Sequence, residues 1–283
     1  MSENFGSPNP IQPLSVGSVV SAGIRLYRSH LQKYFLIALK AYAWLLVPIY
    51  GWVKFYALSA LISRLAFGEL VNQPESVSSG KRFVNSRLWE FFVNMILMLA
   101  ISIGIMLGFV LIGSLLIGIP TVLLGGLQDA NPANTGIIIL ITLVVMIITF
   151  SGILWIGTRF YLVDVPLAIE DDVNGSSSIN RSWELTKGNI FRILLISLIG
   201  FLITIPIQFI IQIITTIIQL ILTTLLKEDI LSSSIISFVL TFGLSFVGGA
   251  LILPFGQTVK AVVYYDLRSR REGLGLRLRD HDI

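Results

Sequence analysis

The chain has no cysteine, and only two histidines, His30 and His281, in its 283 residues. The missing thiols exclude disulfides, thiol nucleophiles, Cys-ligated zinc and iron–sulfur clusters. Two histidines near opposite ends of the chain leave no basis for a histidine-rich metal site. Charge is scarce as well: 13% of residues are Asp, Glu, Lys or Arg, against about 25% in soluble domains. The opening MSENFGSPNPIQPLS lacks the basic and apolar regions of a secretory signal. Residues 1–14 are therefore expected to be an uncleaved, disordered extension. The polar stretches are too short to build an independent soluble core.

What is present is apolar. Hydrophobic residues make up 54% of the chain and gather in blocks at 34–66, 91–124, 137–168, 190–226 and 234–265. A bilayer core needs only about 20 helical residues. Each block must therefore tilt, break or continue along the interface, and Pro48, Pro120 and Pro206 offer breaks. The expected fold is all-α and polytopic. Five long apolar blocks would give about 5–6 membrane segments, with residues 15–268 as one integral membrane domain and 269–283 as a basic tail.

Lys and Arg placement orients these blocks. Residues 64–90, 159–192 and the C-terminal tail are rich in Lys and Arg, whereas 125–136 has neither and 227–233 has only Lys227. Blocks two to five thus alternate, with a cytoplasmic C-terminus in a cytoplasmic (inner) membrane. Block one breaks the alternation, because Arg25, Arg28 and Lys33 precede it and Lys81, Arg82 and Arg87 follow it. A re-entrant or doubly crossing pair, broken near VPIYGW (Val47–Trp52), accounts for this best. A shift of 158 positions places Gly17-Ser18 on Gly175-Ser176 and Pro48 on Pro206, a faint sign of internal duplication.

Two amphipathic helices precede apolar runs. In NGSSSINRSWELTKGN, Ser176, Ser177 and Ser178 are candidate caps and Gly188 a candidate stop. Ile179, Trp183, Thr186 and Ile190 share one face, while Asn180, Arg181, Glu184 and Lys187 take the other. Arg181 and Glu184 are spaced to pair weakly. In SVGSVVSAGIRLYRSHLQKYF the apolar face is Val16, Val20, Ile24, Tyr27 and Leu31. Both read as interfacial helices: either they orient the next span, or they dock lipid headgroups or a partner. EDDVNG (Glu170–Gly175) imitates the start of a calcium loop, but its twelfth position is Arg181, not a bidentate Glu, so it is expected to be an acidic turn.

The stretch RFYLVDVPLAIEDDVNGSSSINRSWELTKGNIFRILLISLIGF (Arg159–Phe201), the ending VVYYDLRSRREGLGLRL (Val262–Leu278) and the opening LSVGSVVSAGIRLYRSH resemble the glycerophosphoryl diester phosphodiesterase membrane domain and its uncharacterised bacterial relatives. The resemblance implies a multi-helix membrane fold. It does not carry over the phosphodiesterase activity. Active relatives have a separate catalytic domain after the membrane part, whereas this chain ends at Ile283.

Several polar residues sit inside the apolar blocks. Lys40 and Lys54 have no acid within block one. An unpaired Lys at the bilayer centre costs roughly 2.5–3.5 kcal/mol, so these lysines must snorkel among Tyr42, Trp44, Tyr50, Trp52 and Tyr56, face a wet cavity, or meet an anion such as a lipid phosphate. Arg181 and Lys187, with Arg268, Arg270 and Arg271 of the tail, complete the candidate lipid- or anion-binding set. In block four, Thr204, Gln208, Gln212, Thr215 or Thr216, Gln219 and Thr223 form a polar stripe, suited to interhelical hydrogen bonding or to a hydrated groove. Gly104, Gly108, Gly113, Gly118, Gly243, Gly248 and Gly249 suit close helix packing. Arg159 with Asp164, and Lys260 with Asp266, are candidate boundary pairs.

No clustered carboxylates and histidines suggest catalysis, metal binding or a cofactor, and no recognition motif suggests nucleic acid. The sequence reads as a non-catalytic integral membrane protein that binds lipid, with anionic lipid favoured, or that scaffolds a membrane complex as a partner or homo-oligomer. The alternative is a transporter or channel for a lipid or small solute.

Overall fold

A computed structural model describes residues 14–124, 131–225 and 230–273. The expected extension over residues 1–13 and the tail beyond residue 273, with Arg277 and Arg279, lie outside them. Ten helices occur among the described residues: α1 (Val16–Ser29), α2 (Leu31–Trp44), α3 (Tyr50–Leu70), α4 (Val77–Ser86), α5 (Leu88–Leu123), α6 (Pro132–Arg159), α7 (Asp164–Ile169), α8 (Ser177–Thr186), α9 (Ile190–Leu225) and α10 (Ile230–Glu272).

Four helical stretches among the described residues are long and apolar enough to cross a membrane: Leu88–Leu123, Pro132–Ile169, Ile190–Leu222 and Ile235–Glu272. The chain is an all-α, multi-pass membrane protein. Block one adds no full span. It divides into α2, at 14 residues about 21 Å long and too short for the bilayer core, and α3, whose 21 residues are largely enclosed by protein. The break falls where Pro48 removes a backbone donor, with Ile49 at φ 58° restarting the chain as α3. α2 and α3 pack as a hairpin. A Cβ on Gly51 would lie 1.9 Å from the Trp44 carbonyl, so only glycine permits this turn.

The other prolines behave differently. Pro120 stays inside α5, Pro206 inside α9 and Pro254 inside α10. Long apolar helices tolerate such residues. Pro206 therefore does not repeat the break at Pro48, so the correspondence suggested by the 158-residue shift does not extend to the prolines.

The core lies at one end of the bundle. Tyr34, Ile37, Leu61, Ile62 and Leu65 of α2 and α3 pack with Val84, Phe91 and Leu167. Val19 and Val20 of α1 join Leu162, Leu185, Ile193, Val259, Val262 and Tyr264 in a second cluster. Beyond these clusters the halves of α5, α6, α9 and α10 nearest residues 125–130 and 226–229 expose Leu, Ile, Val and Phe to their surroundings. This is the inverse of a soluble surface and fits a lipid solvent.

α1 and α8 are amphipathic as their patterns suggest, yet both turn their buried face to protein. In α1, Gly23 sits against Val259, and its carbonyl accepts from Thr258 at 3.0 Å. In α8 the buried residues are Ser178, Ser182, Leu185 and Thr186; of the expected Ile179–Trp183–Thr186–Ile190 face only Thr186 is buried, and Trp183 is exposed. Ser182 Oγ donates to the Arg159 carbonyl at 2.8 Å, and Ser178 Oγ donates to the Val163 carbonyl. The end of α6 leaves carbonyls without helical partners; Ser182 supplies a donor to one of them, and Ser178 ties α8 to the N-cap of α7. Asn174, not a serine, caps α8: its Oδ1 accepts from Ser176 N at 3.2 Å and Ser177 N at 2.8 Å. Gly188, at φ +80°, ends the segment as its position suggests.

The glycines divide. Gly248 and Gly249 press on Ile211 and Tyr42, whereas Gly104, Gly108, Gly118 and Gly243 have no neighbouring side chain within 4 Å among the described residues.

Candidate functional site

The charged groups sort into an enclosed network and an uncompensated surface. The network begins at α7, which places Asp164 at 3% exposure between α3 and α10. Lys260 Nζ donates to both Asp164 oxygens, at 2.9 and 3.0 Å, and Gln257 Nε2 donates to Oδ2 at 3.0 Å. Ser63 Oγ donates to Gln257 Oε1 at 2.5 Å, tying α3 to the same cluster. The expected Lys260–Asp266 pair is thus replaced by Lys260–Asp164. Asp266 instead takes Arg192 at 2.8 Å and Arg270 at 2.9 Å, and accepts from Leu14 N at 3.1 Å. Arg159 does not pair with Asp164. Its guanidinium lies 4.5 Å from the Trp183 ring centre and donates to the Trp183 carbonyl at 3.0 Å.

Arg181 does not pair with Glu184. It bonds Glu170 at 3.0 Å and also reaches Glu272. Burial lowers the Arg181 pKa, but the Glu170 hydrogen bond and the two carboxylate charges raise it overall. Arg268 bonds Glu272 at 2.9 Å. The EDDVNG turn is therefore fixed by arginine. Arg87 donates to the carbonyls of Leu167, Glu170 and Val173, and Gly175 N donates to Glu90 at 2.7 Å. No group of three His, Cys, Asp or Glu able to hold a metal ion occurs among the described residues. Arg64 with Glu75, at 2.6 Å, closes the loop before α4.

The candidate anion-binding residues thus part company. Arg181, Arg268 and Arg270 are consumed by carboxylates. Arg271 donates to the Lys187 backbone carbonyl, and both residues are exposed. Lys54 is held by the Asn85 side chain at 2.9 Å and lies 5.4 Å from the Tyr50 ring centre and 5.9 Å from that of Trp44. Lys40 is exposed and has no hydrogen-bond or ion-pair partner among the described residues.

Lys40 belongs to a larger feature. No Asp or Glu occurs between Glu3 and Glu69, yet Arg25, Arg28, Lys33, Lys40, Lys54 and Arg64 do. Arg25, Arg28, Lys33 and Lys40 have no carboxylate partner among the described residues. On α2, Lys33, Leu36, Lys40 and Trp44 follow one another at 3–4 spacing and share a face, with Leu36 46% and Trp44 37% exposed. Cation, apolar side chain, cation and indole ring alternate along it. Sequence reasoning singled out Lys40 and Lys54 as lacking an acid within block one; it did not extend the acid-free interval back to Arg25, Arg28 and Lys33.

In α9, Thr204 and Thr215 are buried, and Gln208 donates to Thr204 Oγ1 at 3.0 Å. Gln219 reaches Thr241 of α10 at 3.2 Å, and Gln212 is exposed. Thr216 donates to the Gln212 carbonyl at 2.9 Å. The Thr223 side chain lies outside the described residues.

Residues 74–267 match the family described as a domain of unknown function (DUF7847), and the chain belongs to that family. The match names no glycerophosphoryl diester phosphodiesterase membrane domain. It begins in the loop before α4, so α1, α2 and α3 precede it. No curated protein and no solved structure matches the chain.

Proposed function

We propose that this is a non-catalytic membrane protein that binds anionic lipid along α1 and α2. The observation that carries this reading is the sorting of charge. Asp164, Glu170, Asp266 and Glu272 take their cations from α8, α9 and α10, and the acid-free α1–α2 segment keeps Arg25, Arg28, Lys33 and Lys40 without carboxylate partners among the described residues, with Leu36 and Trp44 exposed on the Lys33–Lys40 face. Snorkelled cations over an apolar face suit phosphate headgroups with their chains alongside. The positive-inside pattern favours a cytoplasmic C-terminus in a bacterial inner membrane. The Arg159–Phe201 motif favours kinship with the glycerophosphoryl diester phosphodiesterase membrane domain, without its activity. Transport would need the α9 stripe to line a path, but Thr204, Thr215 and Thr216 bond carbonyls of their own helix.

The test uses Trp44, one helical turn from Lys40. In a variant whose other tryptophans are Phe, brominated phosphatidylglycerol is expected to quench Trp44 more strongly than brominated phosphatidylcholine. The difference should vanish in Lys33→Gln/Lys40→Gln. Equal quenching by the two lipids in the unmodified α2 would reject the proposal.

A further inference from the structure

Gln212 is the polar group the fold leaves least explained. It lies in the α9 stretch with mean hydropathy 2.5, between exposed Phe209 and Ile213. Its side-chain amide has no hydrogen-bond partner among the described residues, whereas Gln208 and Gln219 on the same stripe each have one. Taking about 100° per residue, Gln208, Gln212, Thr216 and Gln219 fall within roughly 80° of one another. Thr204 and Thr215, at the edge of this arc, are buried. The stripe therefore straddles the boundary between the protein and its surroundings, with Gln212 on the outer side.

A lone carboxamide facing hydrocarbon is costly, since neither its oxygen nor its two N–H groups find water there. Glutamine is also self-complementary, because one amide both donates to and accepts from another. Copies of one chain enter the membrane in the same orientation, so a two-fold axis along the bilayer normal brings α9 against α9 in parallel. In such an isologous contact a residue near the axis meets itself. From these features we infer that α9 is the contact between two copies of this chain. The Gln212 amides bond across the axis, and Ile205 and Phe209, 42% and 65% exposed, supply the apolar flank. This inference is independent of the lipid-binding reading, which concerns α1 and α2.

The absence of cysteine makes the test direct, because a disulfide can then form only between copies. In native membranes treated with copper phenanthroline, full-length Gln212→Cys is expected to run as a dimer on non-reducing gels. Ile214→Cys, on the opposite side of α9, should remain monomeric. Gln212→Leu should lower the dimer fraction seen by native mass spectrometry several-fold, and Gln212→Asn should retain more of it. Equal cross-linking at positions 212 and 214 would overturn the inference. So would labelling of Gln212→Cys by a membrane-impermeant maleimide, which would place the stripe in water rather than against a second copy.

Discussion

Replacing Lys260 should unsettle the protein more than neutralising its partner, and the two changes together should do less harm than the first alone. The side chain of Asp164 is 4% exposed and that of Lys260 is 23% exposed. In Lys260→Met the carboxylate loses both lysine hydrogen bonds and keeps only Gln257. Stranding a buried charge in this way costs about 3–5 kcal/mol. In Asp164→Asn the side-chain oxygen still accepts from Gln257, and the more exposed ammonium can turn toward water. The loss is then about 1.5–3 kcal/mol, that of one charged hydrogen bond. Adding Asp164→Asn to Lys260→Met removes the stranded charge and should recover about 1.5 kcal/mol or more. With about 2–4 °C per kcal/mol for a domain of this size, that recovery is roughly 3–6 °C. The assay is thermal unfolding in detergent at pH 8, followed by tryptophan fluorescence. A melting temperature that falls further in the double variant than in Lys260→Met would refute the reasoning.

Other substitutions probe the remaining joints. Ser182→Ala removes the donor to the Arg159 carbonyl at the end of α6, Ser178→Ala removes the donor to the Val163 carbonyl just before α7, and each should cost about 1–3 kcal/mol by the same melting measurement. Gly51→Ala sets a methyl group against the Trp44 carbonyl. It should open the α2–α3 turn and make the 45–49 segment a new site for limited proteolysis, whereas Gly104→Ala, which meets no neighbouring side chain, should not. Glu75 is pushed up by burial, but the Arg64 and Ser79 hydrogen bonds and the Arg64 charge hold its carboxyl below the usual range overall. A lowered folded-state pKa stabilises above the unfolded value of about 4.3 and fades as pH falls through the folded one. Glu75→Gln should therefore flatten the acid-side loss of stability and leave the fold less stable at neutral pH.

The elements were legible where local chemistry decides them. Pro48 beside Gly51 marked the hairpin break, and Gly188 marked the end of α8. Uninterrupted apolar runs marked α5, α6, α9 and α10 as spans. Partners were not legible, because packing chooses them. Asp164 and Lys260 are 96 positions apart and meet only because α7 and α10 pack there. Nearby Asp266 lies on the other side of α10, beside Arg192. The Ile–Trp pattern of α8 pointed to a membrane face, but Ser178 and Ser182 turn inward to bond the Val163 and Arg159 carbonyls between α6 and α7. The missing acids within block one already pointed to Lys40; the same interval, followed from Glu3 to Glu69, also takes in Arg25, Arg28 and Lys33.

The central claim is that α1 and α2 hold an anionic lipid, and native mass spectrometry of the protein extracted directly into nanodiscs tests it most directly. The account predicts that phosphatidylglycerol or another anionic phospholipid stays bound when the nanodisc is stripped away, and that Lys33→Gln/Lys40→Gln loses it while Lys81→Gln/Arg82→Gln, on α4, does not. Retention of zwitterionic lipid alone, or equal retention of anionic lipid in both variants, would contradict it.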